Sequence, residues 1–406
     1  MRKVLLATTA FVAFAAAGAA QAATTSPLTV NVGGSTDFVA GAFAESNRGT
    51  TSNGLSSSNR DFETVYDIDF SVAGKMGNGV EYGGMLGLTN AQDISNGFNG
   101  TQSPYANVAD VFLSGALGKV VLGDSHGATD LSVGAPTVGE GQVEGRYVDF
   151  LDVGAFAKNF VYGVDGTDHS TNVTYFTPKF GTENNKLQAG VSYIPQFYNY
   201  GSSVVKYDNG VSTNTNTNTL SPYKDVFKGA LAYTGSLAPV ALKASANMIH
   251  GSSNQVGSNT AWNVNAPGVQ NAQSFTSWGI GGQAALDGFT LGAGYTDLGH
   301  YDAVAGQGRN QNTYTAGLKY ELNKLAVGVS YLGGEGYSNM LTSGATGANL
   351  DNYNYVKDFN SYGAGGTYTW APGLTSNLDG VVFDQKTDSN VENKGYVLLV
   401  SQKLAF

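Results

Sequence analysis

From Leu28 to the end of the chain, apolar residues recur at every second position in runs separated by turn-forming residues. Alternate side chains of a strand point to opposite faces, so period two means strands with one greasy face and one polar face. The clearest run places Phe62, Thr64, Tyr66, Ile68, Phe70 and Val72 on one face, and Asp61, Glu63, Asp67, Asp69 and Ser71 on the other. Val80, Tyr82, Leu86 and Leu88 alternate with Glu81, Gly83 and Thr89. Tyr314, Leu318, Tyr320 and Leu322 alternate with Thr313, Thr315, Lys319 and Glu321. Residues 108–117 and 374–383 keep the period less cleanly, as expected of a bulge or of a face against another subunit. The last strand puts Tyr396, Leu398, Val400, Leu404 and Phe406 on one parity, with Asn393, Ser401 and Lys403 on the other.

The connections between these runs alternate in length. Short ones fall at 75–79, 118–119, 181–185, 235–239, 287–288, 323–324 and 371–373. Polar and mostly long ones fall at 46–59, 91–107, 127–169, 198–224, 251–272, 302–310, 336–353 and 388–392. Together they join sixteen strands, with eighteen as the alternative count. A soluble sandwich such as a secreted adhesin or lectin would also alternate, but it has no reason to sort its loops by length. Short turns on one side and long loops on the other, with an even strand number, are the pattern of single-chain bacterial membrane barrels.

Both ends of the chain fit that expectation. Arg2 and Lys3 precede an apolar run from Val4 to Gly18, and Ala20-Gln21-Ala22 has the small-residue form of a cleavage site. Residues 1–22 therefore read as a secretory signal peptide and 23–406 as the mature barrel. A terminal Phe on an apolar last strand resembles the outer-membrane β-barrels, whose last strand closes against the first. Composition narrows the classes further. The absence of cysteine removes disulfide scaffolds and thiol nucleophiles. The formal charge of −10 for the whole chain argues against nucleic acid as a partner. With 56 glycines and 23 tyrosines, the sequence has the material for tight turns and aromatic girdles.

The stretch 110–128 contains Phe112-Leu-Ser-Gly115-Ala-Leu-Gly118, then Gly123-Asp124-Ser-His-Gly127-Ala128. It resembles the general diffusion porins of the alphaproteobacterial type, in which such a hairpin leads into a long third loop. The resemblance implies an all-β, antiparallel transmembrane barrel in the outer membrane of a Gram-negative bacterium. It further implies a third loop, here 127–169, folded into the pore, and a homotrimer passing small hydrophilic solutes and ions. Small residues of the first strand (Gly33, Gly34, Ala40, Gly41 and Ala42) suit a subunit contact.

Physics gives the loop a reason of its own. A barrel of about sixteen strands encloses a channel too wide to discriminate small solutes unless something folds inside. The loop carries Asp130, Glu140, Glu144, Asp149 and Asp152 with Arg146, which are the candidate constriction residues. Asp67, Asp69, Glu81, Lys319 and Lys403 are the candidate pore-wall residues, with Lys228 and Lys243 also expected to face inward. An excess of carboxylates at a narrow mouth predicts weak cation selectivity. A sugar-selective channel is the alternative function, and calcium at the acidic loop is the one cofactor to consider. Enzyme signals are weak. Gly123-Asp-Ser125-His-Gly127 matches the letters of a nucleophile elbow, but no helical period follows it, and no catalytic role is expected.

Overall fold

A computed structural model describes residues 27–47, 58–90, 105–140, 145–151, 153, 170–197, 207–208, 211–212, 223–253, 273–301, 303, 309, 311–337, 355–388 and 390–406. The expected leader and the candidate residues Glu144 and Asp152 lie outside the described residues.

Sixteen antiparallel strands form one closed barrel. They are β1 (Thr29–Glu45), β2 (Arg60–Lys75), β3 (Glu81–Thr89), β4 (Tyr105–Gly115), β5 (Gly118–Asp124) and β6 (Thr171–Phe176, resuming at Phe180–Thr182). Next come β7 (Asn185–Gln196), β8 (Tyr223–Leu237), β9 (Val240–Ser253), β10 (Phe275–Leu286) and β11 (Phe289–Asp297). The last five are β12 (Asn312–Leu322), β13 (Leu325–Tyr337), β14 (Tyr355–Ala371), β15 (Leu374–Thr387) and β16 (Glu392–Ala405). The break in β6 sits at Pro178, which has no N–H to give the ladder. Thr177 bridges the gap: its N–H donates to the Ala189 carbonyl at 2.9 Å, and its hydroxyl accepts from the Ala189 N–H at 2.9 Å.

Closure is made by β1 and β16, in register from Ser35–Ala405 to Glu45–Gly395. The pairing runs to the last residue, since Gly34 and Phe406 exchange both N–H···O bonds at 3.0 Å. The Asp287-Gly288 hairpin has both residues at positive φ (48° and 83°), as the two-residue turn between twisted strands requires. Outward aromatics form two belts. Trp278–Tyr295, Tyr314–Tyr331 and Tyr331–Tyr362 make ring contacts near the long-loop end, and Phe289–Tyr320 and Tyr368–Trp370 near the short-turn end. Tyr314 and Tyr320 on β12 are six residues apart, about 20 Å along a strand, on the scale of the apolar band such girdles flank.

The inner face departs from the expected polar lining. In the long-loop half, Val39 and Phe43 on β1, Val381 and Phe383 on β15, and Val397 and Leu399 on β16 point inward and are buried. This accounts for the weak period at 374–383: both faces are apolar there, one against lipid and one against the lumen filling. The irregularity near Val108 is a register shift, with Gly87 opposite Val108 but Leu88 opposite Ala106. The small residues of β1 are also divided. Ala40 and Ala42 share the outward parity with exposed Phe38, but Gly41 faces inward, where a Cβ would stand 2.4 Å from the Phe150 ring.

Neighbouring residues of opposite parity give a test. Leu399 is 1 % exposed and Leu398 is 50 % exposed. Leu399→Ala is expected to lower unfolding stability in detergent by about 2–5 kcal/mol. Leu398→Ala, which loses only detergent contact, is expected to change it far less when denaturant titrations of the two are compared.

Candidate functional site: a loop lining the lumen

The chain enters the barrel at the end of β5. Gly127, at φ +75°, has no space for a side chain, since a Cβ would lie 2.6 Å from the Ser192 hydroxyl. That hydroxyl instead accepts from the Ala128 N–H at 2.7 Å. Lys228 on β8, 2 % exposed, donates from its ammonium to the His126 carbonyl at 2.7 Å. A buried ammonium is tolerated only where such acceptors satisfy it. Ser125, Asn172, Thr174 and Ser192 continue as a buried hydrogen-bonded chain across β5, β6 and β7. Ser125 of the G-x-S-x-G match is therefore a buried structural hydroxyl, followed by a single 3₁₀ turn, Gly127–Leu131.

Beyond that turn the loop crosses the inner wall in extended form. Asn247 and Ser245 on β9 bond Ser132 and the Val133 N–H at 2.8 and 2.7 Å, and Gln283 on β10 donates to the Gly134 carbonyl at 2.9 Å. The wall is cut away to receive it. Gly281 on β10 lies opposite Gly294 on β11, Gly292 opposite Gly317 on β12, and Gly328 on β13 opposite Gly365 on β14. A Cβ at Gly281 would stand 1.7 Å from the Val133 carbonyl oxygen, and one at Gly317 would stand 2.5 Å from that of Pro136. Glycines of four adjacent strands, β10–β13, thus form a trough in which the loop lies against backbone.

The loop next reaches the seam of the barrel. The Glu140 N–H donates to Asp379 Oδ2 on β15 at 2.7 Å, and Asn377 Nδ2 stands 3.4 Å from Glu140 Oε1. Burial raises the Glu140 carboxyl to about 7, with the neighbouring Asp37 carboxyl adding to the rise and Lys403 and Arg146 opposing it. Arg146 bonds Glu63 on β2 at 3.0 Å and lies 3.8 Å from Glu140. A single helical turn, α1 (Tyr147–Phe150), then docks on the lumenal apolar cluster, with Phe150 over Gly41 and its ring centroid 6.0 Å from that of Phe43. Tyr147 is fully buried, which pushes its hydroxyl up to about 12.

The sequence-derived candidates separate on this frame. Glu140 and Arg146 do come together, but against the wall and largely out of the water. Asp130 and Asp149 on the loop are exposed, and Asp67 and Asp69 on β2 face the lumen half-buried. Glu81, a pore-wall candidate, pairs with Lys75 at 3.1 Å beside the short turn. Lys319 likewise pairs with Glu321 at 3.0 Å near the short-turn end, and Lys403 faces inward beside Glu140. Asp37, Asp110, Lys119 and Asp379 also face the lumen and were not among the candidates. Their neighbours are apolar, which hid them, although their inward parity could have been counted from Glu63 and Ser401. Among the described residues no group of three or more acidic or histidine side chains is placed to hold a metal ion.

A family model of Gram-negative porins matches residues 7–388. The chain belongs to the Gram-negative porin family. This porin is an integral outer-membrane protein, and its barrel matches those of solved outer-membrane channels. DcaP of Acinetobacter baumannii aligns at a TM-score of 0.56 and 15 % identity, over 93 % of this chain and 97 % of that one. The trimer form of OmpT, an outer membrane protein of Vibrio cholerae, aligns at 0.53 and 11 %, over 94 % and 100 %. A porin refined at 1.8 Å resolution aligns at 0.50 and 16 %, over 93 % and 100 %. At such identities the likeness is one of fold. No curated protein sequence matches the chain.

The trough makes a prediction about this porin's loop. Val is a good strand residue, so Gly281→Val leaves the barrel able to assemble but puts side-chain atoms where the Val133 backbone lies. The variant is expected to keep its heat-modifiable gel mobility yet to be cut by trypsin after Arg146 several-fold faster than the wild type. Equal cutting rates would mean that the loop is not seated in the trough.

Proposed function

We propose that the porin passes small hydrophilic solutes and ions by passive diffusion, with a weak preference for cations. The observation that carries this reading is the excess of carboxylates over bases on the inner face of β2–β4 and on the described part of the loop. Lys75 and Lys319 pair with acids near the short-turn end. Arg146 is bound to Glu63, and Lys119 lies over the Phe112 ring at 4.6 Å. Asp67, Asp69 and Asp110 on β2 and β4 also face the lumen, and Asp130 and Asp149 add carboxylates on the loop. Acidic walls around low-dielectric protein focus the field and concentrate cations without a binding site.

The test is the reversal potential across a planar bilayer in a KCl gradient. The expected sign favours K⁺, and the preference should shrink between 0.1 M and 1 M salt as the Debye length falls from about 10 Å to about 3 Å. Asp69→Asn with Asp110→Asn should lower the permeability ratio by about two-fold, the scale of a few tenths of a kcal/mol per screened surface charge. An anion-favouring potential in the wild type would refute the reading. Liposome swelling with sugars of graded size should show a smooth dependence on size. Saturable uptake of one sugar would point to the substrate-selective alternative. The burial of Ser125 supports a channel without a catalytic role.

A homotrimer is part of the same proposal. β5 has seven residues, about 23 Å of strand and about 18 Å of height at a 40° tilt, less than the apolar band of about 25 Å. Among the described residues, outward ring pairs occur on β1–β2, β7–β8 and β10–β14, and none lies on β3–β5. A wall that is low and lacks these belts is better covered by a second copy than by lipid. Sedimentation in mild detergent should give three times the monomer mass, and a monomer would count against this assignment.

A further inference from the structure

The inner wall of β7–β10 carries one row of residues with two cations and no carboxylate. Lys186 on β7 lies opposite Thr234 on β8, Thr234 opposite Lys243 on β9, and Lys243 opposite Gln283 on β10. They share strand parity with buried Ser192, Lys228, Ser245 and Ser277 respectively, so all four face the lumen. The row sits at the short-turn end, since Lys186 is the second residue of β7 and Lys243 the fourth of β9. We propose that Lys186 and Lys243, with the Thr234 hydroxyl between them, hold a phosphate group at the short-turn mouth of the channel. The group is either the free ion or the end of a small phosphomonoester.

Two observations set this pair apart from the other inward bases. Lys75, Lys319 and Arg146 are held by carboxylates, Lys119 lies over the Phe112 ring, and Lys228 bonds the His126 carbonyl. Lys186 and Lys243 make no hydrogen bond or ion pair among the described residues. The surrounding wall also offers them no acid. The one carboxylate carried by β7–β10 is Asp225, which accepts from the hydroxyl of outward-facing Tyr193 at 2.7 Å. Exposed Glu183, in the turn before β7, is offset by exposed Lys179 in the break of β6. Gln283 is committed to the Gly134 carbonyl, which places the row beside the seated loop and away from the acids of β2–β4.

Strand spacing sets the size of the ligand. Neighbouring strands lie about 4.8 Å apart, so the two lysine Cα atoms stand roughly 10 Å apart on a concave wall. Each four-carbon stem reaches past the midpoint, so both ammoniums can meet on one oxyanion and part again when it leaves. A phosphate group carries a charge of about −2 and three strong acceptor oxygens, one for each ammonium and one for the Thr234 hydroxyl. Chloride brings a single charge and no fork. Because the site is open to water, its attraction is screened as the Debye length falls from about 10 Å at 0.1 M salt to about 3 Å at 1 M.

This inference rests on the channel reading, and the experiment separates the two. Phosphorus NMR linewidths of inorganic phosphate and of glycerol phosphate would be measured with the detergent-solubilised porin at about 0.1 M KCl. Wild type is expected to broaden the lines several-fold more than the double variant Lys186→Gln, Lys243→Gln. The variant Lys186→Arg, Lys243→Arg should restore the broadening. Lys324→Gln, which removes a lysine bonded to the Trp370 carbonyl in a turn at the same end, should leave it unchanged. In planar bilayers at constant ionic strength, each solute would be added to either side in turn. Wild-type single-channel current should fall more from one side than from the other, and the double Gln variant should not respond. Broadening of the inorganic phosphate line alone confines the site to the free ion, and broadening of both shows that it takes the phosphoryl end of a solute. Equal lines for wild type and the Gln variant, or no rescue by the Arg variant, overturn the phosphate site and leave a conducting channel standing. Broadening without any conduction overturns only the channel.

Discussion

Every backbone N–H and C=O that crosses lipid must find a partner within the protein, because hydrocarbon offers none. In this porin that requirement falls hardest on β1 and β16, the neighbouring strands that lie farthest apart in the chain among those described. Their ladder runs without a register shift and is completed by the exchange between Gly34 and Phe406. The remaining strand pairs are local hairpins or lie either side of one loop, and closure turns them from an open sheet into a wall with an inside. The third loop can act only because that inside exists.

A lumen this wide poses a second problem, which is to narrow it without giving up solvent access. The solution divides the loop by chemistry. Its first half presents backbone to a glycine trough, so it lies close to the wall and takes little cross-section. Its second half carries α1, whose Tyr147 and Phe150 complete an apolar core with the inward residues of β1, β15 and β16. A barrel normally has its hydrophobic surface outside. Here a second, enclosed hydrophobic cluster holds the loop from within, and the hydrogen bonds of Ser245, Asn247, Gln283 and Asp379 fix its path.

Strand number and strand order were legible because each depends on local pattern: period two, turn residues, and the alternation of short and long connections, whereas the inward loop was found through the family resemblance of residues 110–128. The inner surface was legible only where the period-two rule holds strictly, as in β2. It fails where Val381, Phe383, Val397 and Leu399 face inward, because a side chain packed on the loop looks the same in sequence as one facing lipid. The same ambiguity assigned Gly41 to the outside. Charged residues could be counted from the sequence, but their places could not. Glu140 carries the label of a constriction acid, yet its partners Asp37 and Asp379 are 103 and 239 residues away in the chain, and nothing local announces them.

The two roles that carboxylates take in this lumen follow from burial alone. Asp67, Asp69, Asp130 and Asp149 keep contact with water, where a charge costs little. Asp37 and Asp379 have lost that contact, so their charge must be compensated by a cation, a donor or a proton. Lys403 opposite Asp37 and the Glu140 N–H on Asp379 supply part of that compensation. One residue type thus shapes both the field in the channel and the seating of the loop, and the amount of water around each group decides which.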